Sequence, residues 1–79
     1  MRVEIRLFAT LSKYLPHKDR GNSCSVEVNE KITVGKLFEQ LKIPSDEVKK
    51  IFLNGVHATG HEILNEGDRI GVFPPIGGG

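Results

Sequence analysis

Residues 2–8 alternate, with Val3, Ile5 and Leu7 on one face and Arg2, Glu4, Arg6 and Phe8 on the other. A period of two marks a half-buried strand. The outward set is polar except for Phe8. Leu11, Tyr14 and Leu15 then recur at helical spacing; Thr10 is placed to cap a short helix and Pro16 to end it. Residues 17–22 are polar and contain a glycine, which predicts a loop. A second alternation over 23–29 turns Cys24, Val26 and Val28 inward and Ser25 and Glu27 outward.

Thr33 opens the main helix. Val34, Leu37, Phe38 and Leu41 repeat at i, i+3, i+4 and i+7, giving one apolar stripe. Gly35 weakens this helix slightly, and Pro44 stops it before a turn at Ser45-Asp46-Glu47. Ile51-Phe52-Leu53 reads as a short strand. Asn54-Gly55 is the strongest local signal for a hairpin, so residues 56–58 return alongside. Leu64 precedes a Glu66-Gly67-Asp68 turn. The last strand, 69–73, points Ile70 and Val72 inward and Arg69, Gly71 and Phe73 outward.

Only one helix is long enough to cover a sheet. A single sheet with a helix on one face is the two-layer α+β solution. Its other face is left to water, in keeping with the Arg and Glu residues there.

The chain closes on Phe73-Pro74-Pro75-Ile76-Gly77-Gly78-Gly79. Each proline fixes φ and removes a donor, so the segment stops being strand and is expected to leave as a stiff, extended arm. Glycine lacks a Cβ and imposes the least bulk, so Gly77, Gly78 and Gly79 suit threading into a narrow channel. Six residues beyond Phe73 reach at most about 20 Å, enough for an active site in another protein. Residues 1–73 are thus expected to form one domain that presents residues 74–79.

Seventy-nine residues suffice for one small domain with a modest core. With 38% hydrophobic and 27% charged residues the balance is globular rather than disordered. A net charge of +1 argues against nucleic acid or an anionic membrane as the main partner. The single cysteine, Cys24, excludes an internal disulfide and is expected to act as a small buried hydrophobe. Met1-Arg2-Val3-Glu4 is charged where a signal peptide is apolar, and no long apolar run occurs; the expected location is the cytoplasm. His57 and His61 are four apart, but Thr59-Gly60 between them opposes a helix and no third ligand is evident, so no metal site is expected. The sequence holds no Ser/His/Asp set, no Cys/His pair and no phosphate-binding glycine loop. The chain is expected to be no catalyst by itself and to bind no cofactor.

Several segments together resemble the MoaD/ThiS family of ubiquitin-like, β-grasp sulfur carriers, on the side of the molybdopterin synthase small subunit. They are the first strand running into Leu7-Phe8-Ala9, then Thr33-Val34-Gly35-Lys36-Leu37, Leu53-Asn54-Gly55 and Glu66-Gly67-Asp68-Arg69-Ile70, and finally Phe73-Pro74-Pro75-Ile76 with Gly78-Gly79. The likeness spans the whole chain. Phe-Pro-Pro favours MoaD, whereas the third glycine, Gly77, is closer to ThiS. In such a fold the first and last strands lie side by side and parallel. Phe8 and Phe73 would then meet on the open face, with Phe52 a candidate third. Arg6 and Arg69 would flank this patch, and Ile76 would join the partner interface.

The resemblance implies a carrier that is itself a substrate. An adenylating enzyme of the ubiquitin-activating, MoeB/ThiF type would use ATP to activate the Gly79 carboxylate. A sulfur donor system would convert the adenylate to a thiocarboxylate, and a large MoaE-type synthase subunit would pass the sulfur to a pterin precursor. The alternatives are a thiamin or tRNA-thiolation carrier, a ubiquitin-like modifier joined to lysine, and a binding module with an inert tail.

Overall fold

The computed structural model describes residues 1–75. Five strands form one mixed sheet: β1 (Arg2–Leu7), β2 (Ser23–Glu27), β3 (Lys50–Leu53), β4 (Val56–Ala58) and β5 (Arg69–Phe73), in the spatial order β2-β1-β5-β3-β4. β1 and β5 are the parallel central pair, with Ile5 opposite Ile70 and Leu7 opposite Val72. The pairings β1–β2, β3–β5 and β3–β4 are antiparallel. One helix, α1 (Val34–Leu41), covers one face. This is the two-layer α+β arrangement expected from the hydrophobic pattern, in the β-grasp form that the resemblance implied.

The core forms where the predicted inward residues meet. Val3, Ile5 and Leu7 of β1 and Ile70 and Val72 of β5 pack with Cys24 and Val26 of β2 against Val34, Leu37 and Phe38 of α1. Each fully buried aliphatic side chain contributes about 1.5–3 kcal/mol by leaving water. Burial pushes the Cys24 thiol above its ordinary value, so it stays protonated and apolar, as expected of a core cysteine.

Several expected boundaries shift. β1 stops at Leu7 and β2 at Glu27, each shorter than its alternation. The short helix is a 3-10 segment over Ala9–Tyr14 that begins after Phe8, not after a Thr10 cap. Its register is set by Leu11, which is fully buried and whose N–H bonds the Phe8 carbonyl at 3.1 Å. Thr33 opens α1 as expected and also caps it, its hydroxyl accepting from the Lys36 N–H at 3.1 Å.

Gly35 has a positional reason. Its N–H donates to the Gly60 carbonyl at 2.8 Å, and a Cβ there would lie 3.2 Å from that oxygen. The 59–62 loop is therefore pressed onto the first turn of α1. Glu62 holds the loop in shape by accepting from the N–H groups of Thr59 and Gly60, both at 2.8 Å. Those two backbone bonds bring its carboxyl down to about 2.

Candidate functional site

The site is the face of the sheet opposite α1. Register alone collects its members. Phe52 on β3 lies opposite Gly71 on β5 and opposite His57 on β4, while Arg6 on β1 lies opposite Gly71 from the other side. Phe8 follows β1 directly, and its N–H bonds the Val72 carbonyl at 3.1 Å, which fixes the ring beside the end of β5.

The three expected aromatic rings meet. Phe8 and Phe73 stack with centroids 4.2 Å apart and planes 5° from parallel. Phe52 meets Phe73 edge to face at 5.8 Å and His57 edge to face at 5.7 Å. All three phenylalanines are half-buried. Much of that burial is mutual, so they form a cohesive apolar plate whose outer side remains accessible. Gly71 keeps the floor flat: a Cβ there would touch the Phe8 ring at 3.8 Å.

The plate lies in a shallow concavity of about 550 Å³ that also takes in Glu4, Arg6, Arg20 and Arg69. Arg69 Nε is 3.6 Å from Glu4 Oε1, so these two flanking charges offset each other. Both are well solvated, and the pair is worth little in stability. Sequence reasoning missed Glu4 and, more consequentially, Arg20. Arg20 sits in the polar 17–22 loop, where no periodicity assigns a face; only the loop's return to β2 places it here.

β5 delivers the chain at the same end. The Phe73 carbonyl accepts from the Lys49 N–H at 2.8 Å; Pro74 is half-buried and Pro75 exposed. Ile76, Gly77, Gly78 and Gly79 lie outside the described residues. At the far end of β5, the Asn54 side chain accepts from the Arg69 N–H at 2.9 Å and donates to Asp68 at 3.0 Å. Asn54 and Gly55 both take positive φ, +52° and +84°, as the expected two-residue hairpin turn requires. The turn is thereby tied to the strand that carries Phe73.

The remaining candidates are dispersed. His57 lies in β4 and His61 in the loop that follows, and among the described residues no cluster of His, Cys, Asp and Glu could hold a metal ion. Among the same residues no helix is long and apolar enough to cross a membrane. What the face can do chemically is bind: it offers flat apolar area edged by guanidinium groups.

The chain matches the family model described as Mut7-C ubiquitin over residues 1–77. No curated protein matches it. Among solved structures it is similar to SAMP1 from Haloferax volcanii, at 25% identity and a TM-score of 0.75, covering 100% of both chains. It is also similar to the Haloferax volcanii HVO 2177 protein, at 28% identity and a TM-score of 0.75, covering 100% of this chain and 87% of that one. A chain in the protein–protein complex of subunits 1 and 2 of the molybdopterin-converting factor from Helicobacter pylori 26695 is 24% identical, with a TM-score of 0.61 and 100% of both chains covered.

Proposed function

The chain belongs to the Mut7-C ubiquitin family, and on that premise we propose that it is a sulfur carrier whose Gly79 carboxylate is activated and thiolated by partner enzymes. One observation carries the reading: the aromatic plate of Phe8, Phe52 and Phe73 sits at the end of the sheet where β5 hands over to Pro74 and Pro75. A partner docked on the plate would lie within about 20 Å of any atom of the last six residues. In this reading residues 1–73 are the docking body and residues 74–79 the arm, with Gly77, Gly78 and Gly79 threading the partner's channel and Ile76 at its mouth.

The chemistry has two stages. A Gly79 carboxylate oxygen attacks the α-phosphorus of ATP on an adenylating enzyme of the MoeB/ThiF type, and pyrophosphate leaves. The mixed anhydride is a far better acyl donor than the carboxylate. The terminal sulfur of a donor persulfide attacks the acyl carbon and AMP leaves; a second thiol cleaves the S–S bond, leaving a thiocarboxylate. Narrow channels keep water from both activated species. The Helicobacter pylori neighbour, solved as a complex of subunits 1 and 2 of the molybdopterin-converting factor, supports a large MoaE-type subunit as partner, which in this reading passes the sulfur to a pterin precursor.

A second reading has its own support. SAMP1 from Haloferax volcanii is also described as small archaeal modifier protein 1, which favours a ubiquitin-like modifier joined through Gly79 to lysine. Both share the activation step and differ in the acceptor. Incubation with the adenylating enzyme, ATP and a sulfur donor tests the first: the intact mass is expected to rise by one oxygen-to-sulfur exchange. An unchanged mass with an enzyme active on its own substrate removes the carrier reading. Recovery of lysine-linked conjugates from cells, with no thiocarboxylate, selects the modifier.

A further inference from the structure

We propose that Arg20 is a docking determinant which, with Arg6, forms a cationic rim on the β1 side of the aromatic plate, matched to a carboxylate-bearing surface of the adenylating enzyme, a partner whose identity rests on the carrier reading above.

The 17–22 loop is held against the sheet rather than left loose. The Leu7 N–H donates to the Asn22 carbonyl at 3.0 Å. The Arg20 carbonyl accepts twice from Ser23, from its N–H at 3.0 Å and its hydroxyl at 2.9 Å, and Ser23 itself is only 2% exposed. Gly21 makes the intervening turn at φ +58°. Arg20 therefore has a fixed backbone at the edge of the concavity, and its side chain lines it together with Arg6, Phe8 and Phe73.

The charges there are not balanced. Glu4 is occupied by Arg69. Asp19, next to Arg20 in sequence, turns its carboxylate to the Ser25 N–H at 2.8 Å and to His17 at 3.4 Å. Among the described residues neither Arg6 nor Arg20 shares an ion pair. Two guanidinium forks beside a stacked aromatic pair favour a surface that sets carboxylates around an apolar side chain, and they repel a basic one. Charges at such a rim act chiefly on the encounter rate and its salt dependence.

Calorimetric titration of the intact chain with the adenylating enzyme of the same organism, without ATP and at two salt concentrations, tests this. Arg20→Glu is expected to weaken binding at least about tenfold at low salt, the scale of electrostatic steering. Arg6→Glu should act alike, and the double variant should lose most of the salt dependence. Lys36→Glu, on the helix face, makes the same charge change away from the rim and should leave affinity within about twofold, as is usual for a remote surface change. Arg20→Gln serves if the Glu variant melts early. If Arg20→Glu weakens binding no more than Lys36→Glu, or the unaltered chain does not bind, the proposal is wrong. If binding is rim-dependent but added ATP yields no adenylate, docking stands and the carrier reading falls.

Discussion

Phe73 carries the account at the residue scale, because it joins the sheet to the terminal segment and contacts both other rings of the plate. Phe73→Asp should leave the fold intact, since the ring is only half-buried and a carboxylate there stays hydrated. It should weaken the partner complex by about 2 kcal/mol or more, the scale of an aromatic hot spot, as titration with the adenylating enzyme would measure. Loss of the near-native circular dichroism spectrum would instead make the ring a core residue. Glu62 gives a residue-scale prediction for stability. Its folded value of about 2 lies below the ordinary 4.5 because it accepts backbone N–H bonds. The unfolded chain therefore takes up this proton first on acidification. The contribution is complete above pH 4.5 and is lost as pH falls through about 2. Glu62→Gln should remove that part of the pH dependence: the gap in Tm between the two proteins should narrow steadily from pH 5 to pH 2. A gap independent of pH would contradict it.

At the scale of elements, the helix and strands follow from pattern, and the contacts between them explain most departures from it. Alternation located β1, β2 and β5, and the apolar stripe located α1, because each of these has one face in the core. Thr33 was legible as the residue that opens the helix, and the structure adds the capping bond; Thr33→Ala should cost about 1 kcal/mol in denaturant unfolding. Thr10 was a misleading cap signal. The buried Leu11 and the Phe8 carbonyl start the segment two residues early, and such tertiary anchoring leaves no periodic trace. Leu11→Ala should accordingly cost about 2–5 kcal/mol, the range for emptying a core site, whereas the same change in a frayed surface turn would cost almost nothing. Gly35 shows the same limit. Its helix penalty was visible in the sequence, but the Gly60 carbonyl it accommodates was not. The plate was legible in Phe8 and Phe73, which fall out of the core phase of their strands. Arg20 was not, since a loop residue has no phase.

At the scale of the whole molecule, one layer is closed and the other open. α1 completes the core on one side, and the opposite side holds the rings, the arginines and the end of β5. That asymmetry suits the carrier proposed above, in which partners recognise the open face and the terminal segment is the part that reacts. The described residues bring together neither a metal cluster nor a reactive thiol, and the one cysteine is buried in the core with its ionisation suppressed. The proposed carrier chemistry puts sulfur at the terminus and not on a side chain. Fragment-level mass spectrometry after reaction with the adenylating enzyme, ATP and a persulfide donor tests this most directly. The account predicts an oxygen-to-sulfur exchange confined to the fragment ending in Gly79. A whole added sulfur on the fragment containing Cys24, with the terminal fragment unchanged, would contradict it.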